Sequence, residues 1–485
     1  MNVESAKTSR WVWAVGYVAL LAISVGGFFL IRSFGMELVA PAPAAGTELF
    51  GVVSGAAKVD VLLHVLLALA VIIVTARGLG ALFARIQQPA VIGEVIAGII
   101  LGPSLLGRLW PSASAFLLPP AVAPFLSVLS QVGVLLYMFM VGLELDFGHA
   151  RTRTHATVAI SHASIVVPFL LGSALALLLY PRLASHDVPF TVFALFLGVS
   201  MSVTAFPVLA RILTDRGMHR SPMGTIALTC AAVDDVTAWC LLAFVVSVAT
   251  ATEMMGALRT VVLSLAYVGV MFALVRPLVL RLMGRLERDQ TLSRALIAGA
   301  FVALLLSALA TEWIGIHAIF GAFVMGVIVP AESRLARELV NKLEDIVVIL
   351  LLPAFFAYTG MRTQMGLVSG GTQWLLCGLI VLVASVGKFG GSALAARLTG
   401  LSWRDSAALG ILMNTRGLME LIVLNIGLDL KVISPALFAM LVIMAVVTTF
   451  ATTPILHVVT KVPGALHTVP RTAPPAPPAL GQAQG

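Results

Sequence analysis

Apolar windows of roughly 20 residues, each long enough to cross a bilayer, recur along almost the whole chain. They fall near 11–33, 60–83, 90–108, 125–145, 156–180, 190–213, 224–250, 257–281, 294–311, 314–331, 343–361, 373–397, 405–428 and 434–460. In lipid a spanning segment must satisfy its own backbone polar groups, so the windows read as helices. The fold class expected is an all-α polytopic membrane protein with about 13–14 transmembrane helices. Composition agrees: 60% of the 485 residues are hydrophobic and 11% are charged, which leaves a soluble domain of this size too little polar surface. The net charge of +8 has no dense basic patch behind it, so nucleic acid is not an expected partner. Cys230, Cys240 and Cys377 lie in apolar windows and read as buried small residues without redox or metal chemistry.

Lysine and arginine orient the chain. With a cytoplasmic N-terminus, about 19 of them fall on the inside and 7 on the outside. The reading is a multi-pass protein of a bacterial plasma (inner) membrane with both termini cytoplasmic. Residues 1–59 then form an extra helix and an extracytoplasmic linker containing "APAPAAGTE". The apolar core of that helix is longer than a signal peptide's usual 7–15 residues, so an uncleaved helix is favoured. Residues 461–485 read as a disordered Pro/Ala-rich tail.

Two stretches repeat. "IGEVIAGIILGP" (Ile92–Pro103) matches "IFGAFVMGVIVP" (Ile319–Pro330): Gly93 and Gly98 align with Gly321 and Gly326, and a proline closes each. The following spans also match, "FMVGLEL" (Phe139–Leu145) with "AYTGMRT" (Ala357–Thr363). The charge-based topology makes the copies run in opposite directions. Inverted repeats of this kind point to a secondary transporter, whose site lies at the midplane beside interrupted helices. Each half offers one interruption. "SMSVTAFPVLARIL" places Ser202 and Thr204 just before Pro207, which cannot donate a backbone hydrogen bond and disfavours helix at Phe206. "ILMNTRGLMELIVLN" places Asn414, Thr415, Arg416, Gly417 and Glu420 in an apolar window. Arg416 and Glu420, four apart, can pair on one helix face, in a role that is either structural or functional.

"TCAAVDDVTAW" then sets Asp234 and Asp235 in the middle of a span. Each acid at the bilayer centre costs roughly 2.5–3.5 kcal/mol on an insertion scale, so the pair needs a function. The two point about 100° apart and can border one polar cavity. A carboxylate pair in low dielectric holds either protons or a desolvated monovalent cation, and competition for the same oxygens couples the two. Lys388, in "SVGKFGG", is the cation set to pair with them, and Gly387, Gly390 and Gly391 permit close helix contact there. Glu94, His162 and His317 read as interior structural residues. Glu144 and Asp146 read as solvated at a helix end, and Arg77 and Arg276 as snorkelling near span ends.

At "VTAFPVLARIL", "AAVDDVTAWCLLAF", "SVGKFGG" and "LMNTRGLMELIVLNIGL" the chain resembles the cation:proton antiporter superfamily, and within it the CHX-like and Kef-related exchangers. The resemblance covers roughly residues 60–460. It implies two six-helix inverted repeats joined by a linker helix near 257–281, and a core domain with two crossed discontinuous helices. It also implies a dimerisation domain, a homodimer and elevator-like alternating access. Asp235 becomes the essential ion-binding and proton-carrying residue. Asp234 stands where electrogenic members carry Asp, which implies more than one proton per cation. Lys388 matches the lysine that pairs with an aspartate in the proton-loaded state.

The expected activity is therefore exchange of Na⁺ or K⁺ for protons, in the service of pH homeostasis, with no cofactor beyond the transported ions. Asp234, Asp235, Thr204 and Ser202 form the expected ion- and proton-binding set. Lys388, Arg416, Glu420 and Asn414 support it, and Pro207 and Gly417 mark the helix breaks. Two rivals stay open: a Kef-like K⁺ efflux system regulated by a separate soluble partner, and a membrane sensor on an antiporter scaffold. No nucleotide-binding fingerprint follows the membrane region, and neither a P-loop nor a nucleophile–base set is present, so a primary pump or an enzyme is not expected.

Overall fold

The computed structural model describes residues 3–38, 60–144, 154–185, 188–216, 218, 221–250, 254–286 and 294–460. The tail 461–485 and most of the linker after the first helix lie outside the described residues, as does Asp146. Every regular element described is helical; the only extended pairing is an isolated bridge between Ala184 and Ile433.

The helices, in chain order, are α1 (Val3–Gly35), α2 (Val61–Arg85), α3 (Ala90–Leu101), the short α4 (Leu106–Leu109) and α5 (Pro111–Leu117), α6 (Ala123–Glu144) and α7 (Thr154–Leu183). There follow α8 (Phe190–Ser202), α9 (Phe206–Asp215), α10 (Pro222–Thr250), α11 (Met254–Val270), α12 (Arg276–Leu286), α13 (Arg294–Ile314) and α14 (Ala318–Ile328). The last are α15 (Arg334–Ile346), α16 (Leu352–Arg362), α17 (Gly370–Ser385), α18 (Gly391–Leu398), α19 (Trp403–Met413), α20 (Leu418–Asp429) and α21 (Pro435–Thr460).

Among the described residues 11 helices are long and apolar enough to cross a membrane, or 12 with the bent pair α19–α20 counted as one span. The sequence-based number was higher for two reasons. The window 314–331 forms only the 11-residue α14, cut off from α13 at Gly315 and His317, both with positive φ. The window 343–361 lies in α15–α16, continuous through a π turn at Val347–Leu351, whose first half is charged and amphipathic.

Packing divides the helices into two bundles. One gathers α7 to α10 and α17 to α21; the other gathers α2, α3, α6 and α13 to α16. The repeat glycines build the second. A Cβ on Gly93 would strike the α2 backbone at Leu79, and one on Gly321 would strike the α13 backbone at Ser307. Gly98 faces the backbone of Ala357, close to Gly360, while Gly326 faces that of Phe139, close to Gly142. The first span of each repeat thus crosses the second span of the other, the exchange that a two-fold relation produces. Small residues let helix backbones touch where lipid supplies no hydrophobic driving force.

The extra helix α1 docks on α7 and α8, with Phe28 against Phe169 and Arg32 Nε donating to Thr191 Oγ1 at 3.1 Å. One expectation fails on this bundle: Cys240 is exposed on α10, whereas Cys230 and Cys377 are buried. An apolar residue in a bilayer protein is as stable against lipid as inside, so hydrophobicity alone does not assign it a face.

Candidate functional site

Two interrupted helices cross in the middle of the first bundle. α8 stops at Ser202 and α9 starts at Phe206. An unbroken helix would need residue 207 to donate to the Val203 carbonyl, and Pro207 has no N–H. The break is Val203–Ala205, so Phe206 is already helical and Pro207 sits in the first turn of α9, where its missing donor is not needed. The second interruption separates α19 from α20 at Asn414–Gly417. Gly417 is there for space: a Cβ would press into Val208 and Ala205 of the other interrupted helix.

Non-helical backbone at this depth survives only if its polar groups find partners. The breaks supply them to each other. Ala205 N–H donates to the Thr415 carbonyl at 2.9 Å. Thr449 Oγ1 accepts from Arg416 N–H at 2.9 Å and donates to the Arg416 carbonyl at 2.6 Å. The free carbonyls at the C-terminal end of α8 are capped by two buried cations. Arg416 donates to Ser200 O (2.8 Å) and Met201 O (2.7 Å), and Lys388 Nζ donates to Ser202 O and to Ser164 O (3.0 Å). Positive charge at a helix C-terminus is favourable in its own right.

Each cation has one carboxylate bonded to it. Arg416 Nη1 reaches Glu420 Oε2 at 2.8 Å, and Lys388 Nζ reaches Asp234 Oδ2 at 3.2 Å; all four side chains are fully buried. Lys388 lies in a π turn, Val386–Gly390, between α17 and α18. Such turns recur at functional sites because the extra residue re-aims a side chain. Gly387 and Gly391 let this turn approach α7 at Pro168 and Ala163, whereas Gly390 meets nothing and does not share in the contact.

Asp234 is saturated. Besides Lys388 it accepts from Ser161 Oγ, Ser164 Oγ and Thr204 Oγ1, the last at 2.8 Å. Asp235, its neighbour, is 1% exposed, and neither carboxylate oxygen has a hydrogen-bond partner among the described residues. The two acids therefore do not share one set of ligands, as their position in sequence suggested. Successive helical residues diverge by about 100°, enough to put one acid into the hydroxyl nest and to turn the other out of it. Ser202 also departs from expectation: its hydroxyl donates to the carbonyls of Gly198 (2.8 Å) and Ile165 (3.0 Å), and only its carbonyl touches the site, through Lys388. Asn414 borders the second break with its Oδ1 unpartnered. Ser161 and Ser164 were missed; their signal was two hydroxyls three apart, one helical turn, in a predominantly apolar span. Glu94 is buried with its side chain against α2 at Gly80, and His162 bonds back to Val158 O at 2.8 Å, both as interior residues.

Comparison with known proteins agrees with the resemblance read from the four motifs. Residues 66–461 match the family described as sodium/hydrogen exchanger, transmembrane. The chain is 46% identical to the Na(+)/H(+) antiporter NhaS4 of Synechocystis over 82% of its own length and 97% of that protein's. It is 38% identical to Cation/H(+) antiporter 19 of Arabidopsis thaliana and 33% identical to K(+)/H(+) antiporter 1 of Saccharomyces cerevisiae, and spans about half of each, 50% and 44%. These relatives are named as antiporters and not as enzymes. In structure the chain is similar to the sodium proton antiporter MjNhaP1 from Methanocaldococcus jannaschii, with a TM-score of 0.61 at 14% identity over 82% of this chain and 96% of that one. Crossed interrupted helices, buried acids and a match over most of its length together make this chain a member of the sodium/hydrogen exchanger family.

Proposed function

We propose that the protein is a secondary active antiporter that exchanges a monovalent cation, Na⁺ or K⁺, for protons by alternating access, with Asp235 as the exchanging group. The observation that carries this reading is the contrast between the two aspartates. Asp234–Lys388 and Arg416–Glu420 are internally neutral pairs bonded at 3.2 and 2.8 Å. Asp235 has no such partner. A bare carboxylate in a low-dielectric interior is costly, and binding either a proton or a monovalent cation removes that cost. The bundle that contains the crossing can then move between membrane faces when Asp235 holds one of the two ligands, and is held back when it holds neither. Exchange follows, because the oxygens that take the cation are those that give up the proton.

Asp234 is the fixed partner in this scheme. Its hydroxyl ligands and Lys388 hold the break at Thr204 against α10, one residue from Asp235. The exposed apolar faces of α11 and α13 suit lipid or a second copy of the chain, and we infer a homodimer in the plasma membrane with cytoplasmic termini. The test uses everted vesicles with a preset pH gradient, to which Na⁺ and then K⁺ is added while a pH-sensitive dye is followed. Collapse of the gradient in the wild type, absent in Asp235→Asn at equal membrane content, supports the reading and names the cation. No response to either salt in folded, inserted wild type refutes it.

A further inference from the structure

A second polar cluster lies far from the crossing, where the two bundles meet at one membrane face. There α16 of the second bundle passes α20 of the first. Arg362, the last residue of α16, donates from Nη2 to Asp429 Oδ1 at 2.6 Å and from Nη1 to Asn425 Oδ1 at 3.0 Å. Asn425 Nδ2 returns a bond to Thr359 Oγ1 at 2.8 Å. Both acceptors of Arg362 are on α20, and α20 begins at the Gly417 break. Asp429 therefore stands about 18 Å along this helix from the crossing.

These links border a cavity of ≈ 40 Å³ between α6, the start of α14, α16 and α20, whose polar lining includes Ser130, Gln131, His317, Asn425 and Asp429. Its size corresponds to a few water molecules. Arg362 is 6% exposed while the Asp429 side chain is 52% exposed. A buried guanidinium, with its ring contact to Tyr358, thus reaches out to a carboxylate that faces solvent. The pair thus borders a chamber large enough for water, with its acid half-exposed.

We propose that this cavity is the mouth by which the transported monovalent cation reaches the site from the extracytoplasmic face, and that Arg362 keeps it shut by occupying Asp429 and Asn425. The inference rests on the antiport reading above. Its chemistry is a competition of cations. Asp429 and the amide and hydroxyl oxygens around it are hard oxygen ligands suited to Na⁺ or K⁺, and the guanidinium holds that place while the bundles are together. When the first bundle shifts, both links on α20 must break together, since one side chain makes them.

The test reads opening directly and needs no transport. In a background with Cys230, Cys240 and Cys377 replaced by alanine, Ser130→Cys puts a thiol in the cavity wall. A membrane-impermeant maleimide is added to the extracytoplasmic face of right-side-out vesicles. Slow labelling is expected with Arg362 and Asp429 intact. Labelling about fivefold faster is expected in Asp429→Asn, the factor for an ion pair worth ~1 kcal/mol. The swap of Arg362→Asp with Asp429→Arg is expected to restore slow labelling. Asn425→Leu, which leaves the Asp429 bond and removes those of Asn425 to Arg362 and Thr359, is the further variant should Asp429→Asn fail to fold, and it too must accelerate labelling. Unchanged rates in the variants, or equal acceleration from the cytoplasmic face, would overturn the proposal. Asp235→Asn separates the two readings: it should abolish exchange and leave labelling slow. Faster labelling in the latch variants of a protein that moves no ion would show a latched cavity but overturn both the antiport reading and the cavity's role as a cation mouth.

Discussion

Replacing Asp234 and Asp235 one at a time by asparagine should move stability in opposite directions, although the two residues are adjacent and chemically identical. Asparagine keeps the shape of the side chain and removes its charge. At 234 that deprives fully buried Lys388 of the carboxylate bonded to it at 3.2 Å, and weakens the bonds from Ser161, Ser164 and Thr204. Leaving one member of a buried pair uncompensated costs ~3–5 kcal/mol. Unfolding entropy of ~2.1 cal/mol/K per residue makes ~1 kcal/mol worth about 1 °C in a chain of this length, so the melting temperature should fall by on the order of 3–5 °C. At 235 nothing is broken, because neither oxygen has a partner, and a costly buried charge disappears. The melting temperature should hold or rise. The assay is thermal unfolding of detergent-purified protein at neutral pH without Na⁺ or K⁺, with exchange measured on the same preparations. Asp235→Asn should abolish exchange without loss of stability. A variant at 235 that unfolds as early as Asp234→Asn, or that still exchanges, would refute the division of roles.

The Arg416 cap should behave as a unit with Glu420. Arg416→Gln uncaps the Ser200 and Met201 carbonyls and strands a buried carboxylate, so its cost should exceed ~3 kcal/mol, and adding Glu420→Gln should recover part of it; strict additivity of the two losses in thermal unfolding would count against the pair. Competition of one proton with the cation at Asp235 sets a sign for pH dependence: in the acid range where the site is mostly protonated, the apparent KM for the cation should rise about tenfold per unit fall in pH, with the rate at saturating cation little changed. A KM independent of pH across the range where exchange is measurable would rule out a shared site.

Much of this was legible in the sequence, because the bilayer leaves few alternatives. An apolar run of spanning length must be helical, and an acid, a lysine or an arginine–glutamate pair inside such a run must be matched. The repeat glycines pointed in the sequence to an inverted repeat, and in the structure they sit where spans cross and backbones meet. What stayed hidden depends on azimuth and on partners far away in sequence. Residue type alone does not tell that Asp234 turns toward Ser161 and Ser164 while Asp235 does not, or that the Ser202 hydroxyl is spent on the carbonyls of Gly198 and Ile165. The same holds for Cys240, since a face that meets lipid and one that meets protein are equally apolar. Arg362 looked like an outside loop charge. Its part in the α16–α20 contact needs Asp429, 67 residues on, to be brought beside it.

The arrangement of charge explains why broken helices and buried acids occur together. A helix that stops inside a bilayer exposes carbonyls that water cannot reach, and cations must be brought in to cap them. Lys388 and Arg416 do this for α8, and each cation then requires a carboxylate, supplied by Asp234 and Glu420. At that point the two pairs are neutral and the carbonyls of Ser200, Met201 and Ser202 are capped. Asp235 is a further buried acid that neither pair matches, one residue from Asp234 and its bond to Thr204 of the break. On the function proposed above, occupancy at this residue sets whether the assembly is neutral, and so whether it changes its exposure to the two faces. On that proposal an ion pair at Asp235 would remove the dependence, and coupling rests on the partner that is missing among the described residues.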